Sequence, residues 1–473
     1  MHSLSTTAPA SPPASPPAPA PSPAPQHAPR TLMLLEAPIL PTLLRLAWPN
    51  VLVMLAQAVT GLIETAFVGR LGTDALAGMA LVFPGFMLMQ MMSVGAIGGG
   101  IAAAIARALG GGRRADADGL VLHALVINLL LGAVFTVLGL AAAPALYRAM
   151  GAEGGALLAA ERYSNVVFGG AILAWTFNAL ASCIRGTGNM LTPALVICGG
   201  VVVLVPLSPC LIFGVGPLPA LGVVGGGLAV LSYYLIGGAV LGWYLLSGRS
   251  VVRLRLVRLR GAALWAILRV GLVASLVTVQ TNIIVTFTTA QAGLFGAAAI
   301  AGYGTGARLE YLLVPLVFGI GSPLTAIVAT NLGAGQRSRA VRAAWTGAGL
   351  AFVMTEAIGL AAAAWPRAWL GLFGSDAAMM ETGSAYLRSV GPFYGFFGLG
   401  MALYFASQGA QRMAWPLVAA VLRMGIAVGG AWLTLRVSGS LGLMFLALSA
   451  GMVVFAAVNA GAVAAGTWVK GAR

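Results

Sequence analysis

The sequence predicts an all-α integral membrane protein, with twelve transmembrane helices forming two six-helix bundles related by a parallel pseudo-two-fold repeat. Three observations carry this prediction. The 473 residues are 59% hydrophobic and only 8% charged, against roughly 25% charged in a soluble domain. The apolar runs last about 20 residues or more, the length a helix needs to cross some 30 Å of hydrocarbon, and the short alternating segments of a transmembrane barrel are absent from the pattern. Finally, the second half of the chain repeats the first at an offset of 224, and past one gap 223, residues.

Residues 1 to 30 are almost wholly Pro, Ala and Ser. Such a composition cannot bury a core, and without an apolar h-region it is not a secretory signal peptide. The domain plan expected is a disordered cytoplasmic tail over 1–40, an N-lobe over 41–247, a cytoplasmic linker over 248–262 and a C-lobe over 263–467. Six apolar spans lie near 46–69, 78–106, 120–143, 163–184, 194–213 and 223–246. Six more lie near 264–289, 301–330, 343–365, 388–407, 414–435 and 441–467. The longest polar insert, SGRSVVRLRLVRLRG (247–261), separates the two sets.

The repeat is visible residue by residue. Arg45-Leu46-Ala47 falls on Arg269-Val270-Gly271, LGTDALAGM (71–79) on FGAAAIAGY (295–303), and RGTGNMLTP (185–193) on QGAQRMAWP (408–416). An even number of spans per half makes the repeats parallel, related by an axis along the membrane normal, as in one class of secondary transporters. With Arg45 and Arg269 on the side of the N-terminus, 18 Lys or Arg residues fall on that side, Lys470 and Arg473 among them, and six fall opposite. The positive-inside rule then places both termini in the cytoplasm.

The net charge of +15 does not indicate nucleic acid, because the arginines collect at span ends with no aromatic-interleaved basic face. Cys183, Cys198 and Cys210 lie within or beside apolar runs without CxxC spacing and are expected as buried thiols, not metal ligands. GAIGGG (95–100) imitates a dinucleotide-binding pattern but has no βαβ unit around it. It is read as close helix packing, and no cofactor is expected. An intramembrane enzyme would need paired acids or a histidine cluster inside the spans, and neither is present in the sequence.

Three carboxylates fall inside spans: Glu64 in span 1, Glu310 in span 8 and Glu356 in span 9. An ionisable side chain in hydrocarbon costs roughly 2.5–3.5 kcal/mol on insertion scales and marks function by default. Gln57 and Thr60, at i−7 and i−4, share the face of Glu64, and the three form the candidate ion-coupling site. Desolvation of a buried carboxyl brings its titration toward neutrality, which suits a group that loads and releases protons. The bland alternative is a neutral glutamate held by interhelical hydrogen bonds. Arg308 and Glu310, with Tyr303, make a candidate second-lobe polar site, although residues at i and i+2 do not face each other. Glu356 is expected to be structural. Arg423 is left open between snorkelling, an acidic partner and an anionic ligand, and His123 is expected as an interfacial polar residue. Pro49, Pro84, Pro206, Pro209, Pro315 and Pro323 permit kinks. The methionine run MLMQMM (87–92) is read more simply as core or lipid contact than as an adaptable cavity.

Together the WP near the start of span 1, the acid before FVGRLG, the ALAG of span 2 and the RGTGN–TP turn resemble the multidrug and toxic compound extrusion (MATE) transporters over roughly residues 40 to 465. The resemblance implies a bacterial inner-membrane antiporter, monomeric, that exports organic, drug-like and often cationic compounds in exchange for H⁺ or Na⁺ through a V-shaped cleft between two lobes. It also implies that Glu64 stands where many bacterial members carry a coupling aspartate. The partners that such members add in spans 5 and 6 are replaced here by Leu204, Ser208 and Val230. Sodium prefers several hard oxygen ligands, so this departure favours proton coupling through Glu64, or a coupling site in the second lobe that uses Glu310. Glu64 falls on Thr288 in repeat register, so the second lobe has no copy of it. The expected activity is therefore proton-driven export by alternating access. Na⁺-coupled export and a flippase for a lipid-linked precursor, with Arg308 and Arg423 facing an anionic head group, are the alternatives.

Overall fold

The computed structural model describes residues 27–214 and 219–468, and these fold as helix with no strand among them. Span 1 is Ile39–Gly69, span 2 Thr73–Gly110, span 3 Arg114–Ala149, span 5 Leu191–Phe213 and span 6 Val223–Leu246. Spans 7 to 12 are Gly261–Gly293, Ala297–Gly333, Arg337–Ala364, Ala377–Gly409, Ala414–Ser438 and Leu441–Ala464. Span 4 differs from the single run expected over 163–184: it is two helices, Gly154–Gly169 and Ala171–Gly186, bent by 45°. The bend falls at the Gly169–Gly170 pair, one of the few local sequences at which a helix turns sharply. Most other spans outrun their apolar cores by a few residues, because helix continues into the polar interface. Span 3, for example, begins with Arg114 and carries Asp116 in its first turn, where a carboxylate favours the helix dipole.

The tail expected to stay disordered to residue 40 has an ordered end. Residues 1–26, and Lys470 and Arg473 at the other terminus, lie outside the described residues. Pro29–Glu36 forms a helix that buries Thr31, Leu34 and Leu35, with proline in its first turn, where a missing N–H costs nothing. Asn331 Nδ2 donates to the Leu34 carbonyl at 3.1 Å, and the Arg339 guanidinium donates to the Ala37 carbonyl. The boundary expected at 40 therefore moves back to residue 28. The apolar face of TLMLLE is too short to register as a span, yet it docks chiefly against span 8.

Each half packs around its own aromatic core, Trp175 and Phe177 in the first and Tyr386, Tyr394 and Phe445 in the second. A third cluster joins them, bringing Leu43 and Leu46 of span 1 against Ile320, Leu324 and Ile327 of span 8 and Leu403 of span 10. The repeat shows in reciprocal contacts. A Cβ on Gly110 would strike the Thr330 carbonyl, and one on Gly333 would strike the Arg107 carbonyl. At an offset of 223 these are the same contact seen from either half, so spans 2 and 8 cross on the pseudo-two-fold axis.

The hydrogen bonds that cross between the halves among the described residues all lie toward the end of the bundle that holds the starts of spans 1 and 7. Arg107 Nη1 donates to the Ala410 carbonyl at 3.3 Å, Gln408 Nε2 to the Gly95 carbonyl at 3.1 Å, and Ser322 Oγ approaches Met190 Sδ at 4.0 Å. GAIGGG serves this seam: Gly98 abuts Ser182, Gly99 abuts Gln408 and Gly100 abuts the Ile267 carbonyl. The linker lies along span 3. Arg253 N–H donates to Asp118 Oδ1 and Arg260 N–H to His123 Nε2, both at 2.9 Å. Since Nε2 accepts, His123 carries its proton on Nδ1, which donates to the Gly119 carbonyl at 2.8 Å. His123 is thus a buried latch for the linker.

Candidate ion-coupling and transport sites

Span 1 carries Glu64 about seven turns from its start. One carboxylate oxygen, Oε1, is buried with no hydrogen-bond partner, an arrangement that buried polar groups seldom tolerate without a reason. The carboxyl lies within electrostatic reach of the buried hydroxyls of Tyr163 and Tyr234. Tyr234 is tied further into the lobe. Its hydroxyl accepts from Gln90 Nε2 at 2.5 Å, while Asn178 Nδ2 donates to Gln90 Oε1 at 3.2 Å and to Ser93 Oγ at 3.1 Å. The rings of Tyr233, Tyr234 and Phe177 close the cluster at 5.1 to 5.7 Å.

Gln90 and Ser93 owe their positions to a π-helical stretch, Met91–Ile97, inside span 2, a local widening common at functional sites. Of the expected partners, Thr60 is buried, but its hydroxyl bonds its own backbone at Ala56, 2.7 Å away. Gln57 is exposed and stands beside Tyr233. Among the described residues, no hydrogen bond joins either one to Glu64. Ser208 is fully buried with its hydroxyl unpartnered, on a helix that packs against span 1, while Leu204 and Val230 offer only apolar surface.

The second-lobe acid is held quite differently. Glu310 Oε1 accepts the Tyr386 hydroxyl hydrogen bond, and Tyr303 packs on Tyr386 at 5.3 Å and on Phe445 at 6.1 Å. The guanidinium of Arg423 is buried between the rings of Phe397 and Phe455 at 5.5 and 5.6 Å, and it faces Glu310 electrostatically. Glu310 and Tyr303 both contact Tyr386, but Arg308 does not join them. It is exposed and lies over Phe373 at 5.2 Å, because two residues along a helix turn the side chain to the other face. Arg423, whose partner was left open, fills the cationic place. Thr288, the repeat image of Glu64, is buried and bonds its own backbone at Ile284. Glu356 Oε2 accepts from Gly395 N–H at 2.6 Å, capping the helix that resumes after the break at Gly391–Phe393.

Several functional candidates escape a search for charges. Gln90, Asn178, Tyr163 and Tyr234 are neutral and sit in apolar runs. Arg185 follows an apolar run that ends at 184 and so reads as a loop arginine, yet it is only 6% exposed.

Two repeated helical lobes that meet at one end, each with a polar cluster buried at membrane depth, define a secondary transporter and not an enzyme. The chain belongs to the MatE family, whose sequence model matches residues 49–210 and 272–433, once in each lobe. It is 29% identical over 436 residues to the probable multidrug resistance protein NorM of Deinococcus radiodurans, covering 88% of this chain and 93% of that one. It is 28% identical over 379 residues to the FAD transporter of Shewanella oneidensis, covering 79% and 82%. A solved structure described as the outward-facing conformation of a multidrug resistance MATE family transporter superposes with a TM-score of 0.84 at 25% identity, over 93% of this chain and 99% of that chain. The protein is accordingly a multi-pass membrane transporter of the MATE type.

Proposed function

We propose that this transporter is a proton-coupled antiporter that exports organic compounds by alternating access, with Glu64 as the group that carries the proton. The observation that carries the reading is the Glu64 carboxylate oxygen, buried in the first lobe without a hydrogen-bond partner. Binding and release of a proton at such a lone acid changes what the first lobe holds together. Sodium finds little here: Leu204 and Val230 supply no oxygen side chain, and hard cations take several oxygen ligands. The arginine asymmetry supports cytoplasmic termini in a bacterial inner membrane, so the closed seam lies on the cytoplasmic side and the lobes part outward. The protein acts as a monomer, each lobe already having its partner in the other.

The relatives' names cover drugs in one case and FAD in another, which supports an organic cargo. Glu64 and Glu310 favour a cationic, amphipathic one, while the buried Arg185 and Arg423 weigh against an exclusively cationic preference. The flippase reading has less support, because Arg308 lies exposed over Phe373 and Arg423 is buried between Phe397 and Phe455.

Purified protein in liposomes, loaded with ethidium and given either a pH gradient or a Na⁺ gradient, tests the coupling ion. Dye movement driven by the pH gradient alone is expected. Movement driven by Na⁺ at uniform pH would overturn the reading.

A further inference from the structure

The floor of the seam between the lobes contains a small polar cavity lined by Gly95, Gly98, Ser182, Arg185, Ser322 and Gln408, among others. Three of its polar atoms, Ser182 Oγ, Arg185 Nε and Gln408 Oε1, are buried without a hydrogen-bond partner, and their residues are 1%, 6% and 0% exposed. None of the ion pairs among the described residues includes Arg185. A guanidinium this deeply buried is ordinarily paired with an anion, because desolvation of the lone charge is costly.

The position is not accidental. Arg185 and Gln408 are repeat images of one another, each opening the aligned RGTGNMLTP and QGAQRMAWP segments. The fold brings both to the same cavity on the pseudo-two-fold axis. Gln408 holds the seam through Nε2, which donates to the Gly95 carbonyl at 3.1 Å and to Tyr404 Oη at 3.0 Å.

We propose that Arg185, with Ser182 and Gln408 at the lobe seam, is a specificity site for an anionic oxygen group on the cargo, a phosphate or a carboxylate. The inference rests on the export reading above and deepens it by naming a cargo class. In the closed seam the space is about 10 Å³, room for roughly one water. When the seam parts, Arg185 meets the cleft and holds the anion through a charge-assisted, two-pronged contact. When the seam closes, the site shrinks below the size of any organic anion and the cargo is released toward the open side.

Binding to purified protein in detergent, with no ion gradient, tests this separately from proton coupling. Two probe pairs differ only in an anionic group: FMN against riboflavin, and rhodamine B against its ethyl ester. At least one anionic member is expected to bind the wild type about tenfold or more tightly than its neutralised partner. R185Q should abolish that preference while leaving riboflavin or ester binding in place, which also shows that the variant is folded. R185K should retain part of the preference. An absence of preference in both pairs, or a preference that survives R185Q, would overturn the proposal. Loss of proton-driven export with the preference intact would instead count against the coupling reading alone.

Discussion

In the first lobe a glutamate enters the membrane interior and leaves one oxygen without a partner. In the second, a glutamate is tied by a tyrosine and faced by a buried arginine. The fold is the same in both halves, and the seam contacts of Gly110 and Gly333 are images of each other, yet Glu64 maps to Thr288 and Glu310 has its own neighbours in Tyr386 and Arg423. On the proposed reading, a duplicated scaffold has separated two roles. An acid that must release a proton cannot be over-satisfied, whereas one that fixes a core is more useful the more completely it is bound.

The sharpest way to break this comparison is to remove Arg423. Leaving a buried acid without its counter-charge costs on the order of 3 kcal/mol, so Arg423→Met should lower thermal stability in detergent clearly. Adding Glu310→Gln should recover part of the loss. If Arg423→Met melts like the wild type, Glu310 is not a structural acid. Tyr386→Phe removes one hydrogen bond to the same acid and should cost about 2 kcal/mol, read in the same melting experiment. A hydroxyl deletion in the first lobe, Tyr234→Phe, removes a neutral contact with Gln90 and should cost about 1 kcal/mol. A larger loss from Tyr234→Phe than from Tyr386→Phe would reverse the assignment of the tightly held lobe.

Much of the fold was legible because hydrocarbon punishes polar backbone and charge. Spans, repeat and Glu64 all follow from residues that stand out against an apolar background. What stayed hidden had no such contrast. Gln90, Asn178 and Tyr234 form a connected chain through spans 2, 4 and 6, but each alone looks like a tolerated neutral residue. The bend of span 4 rests on one glycine pair among the 65 glycines of the chain. Arg308 and Glu310 are neighbours in sequence and strangers in space, while Glu310 and Arg423, 113 positions apart, face each other. Arg185 was readable from the repeat, since its image at Gln408 marks the axis, but the edge of an apolar run hid its burial.

Proton-driven export by Glu64→Gln and Glu310→Gln, measured side by side in liposomes at matched protein content, tests the central claim most directly. Glu64→Gln is expected to fall to background while its melting temperature stays at or above that of the wild type. Glu310→Gln is expected to retain driven export with a lowered melting temperature. Driven export that survives Glu64→Gln and vanishes in a folded Glu310→Gln would place the proton in the other lobe.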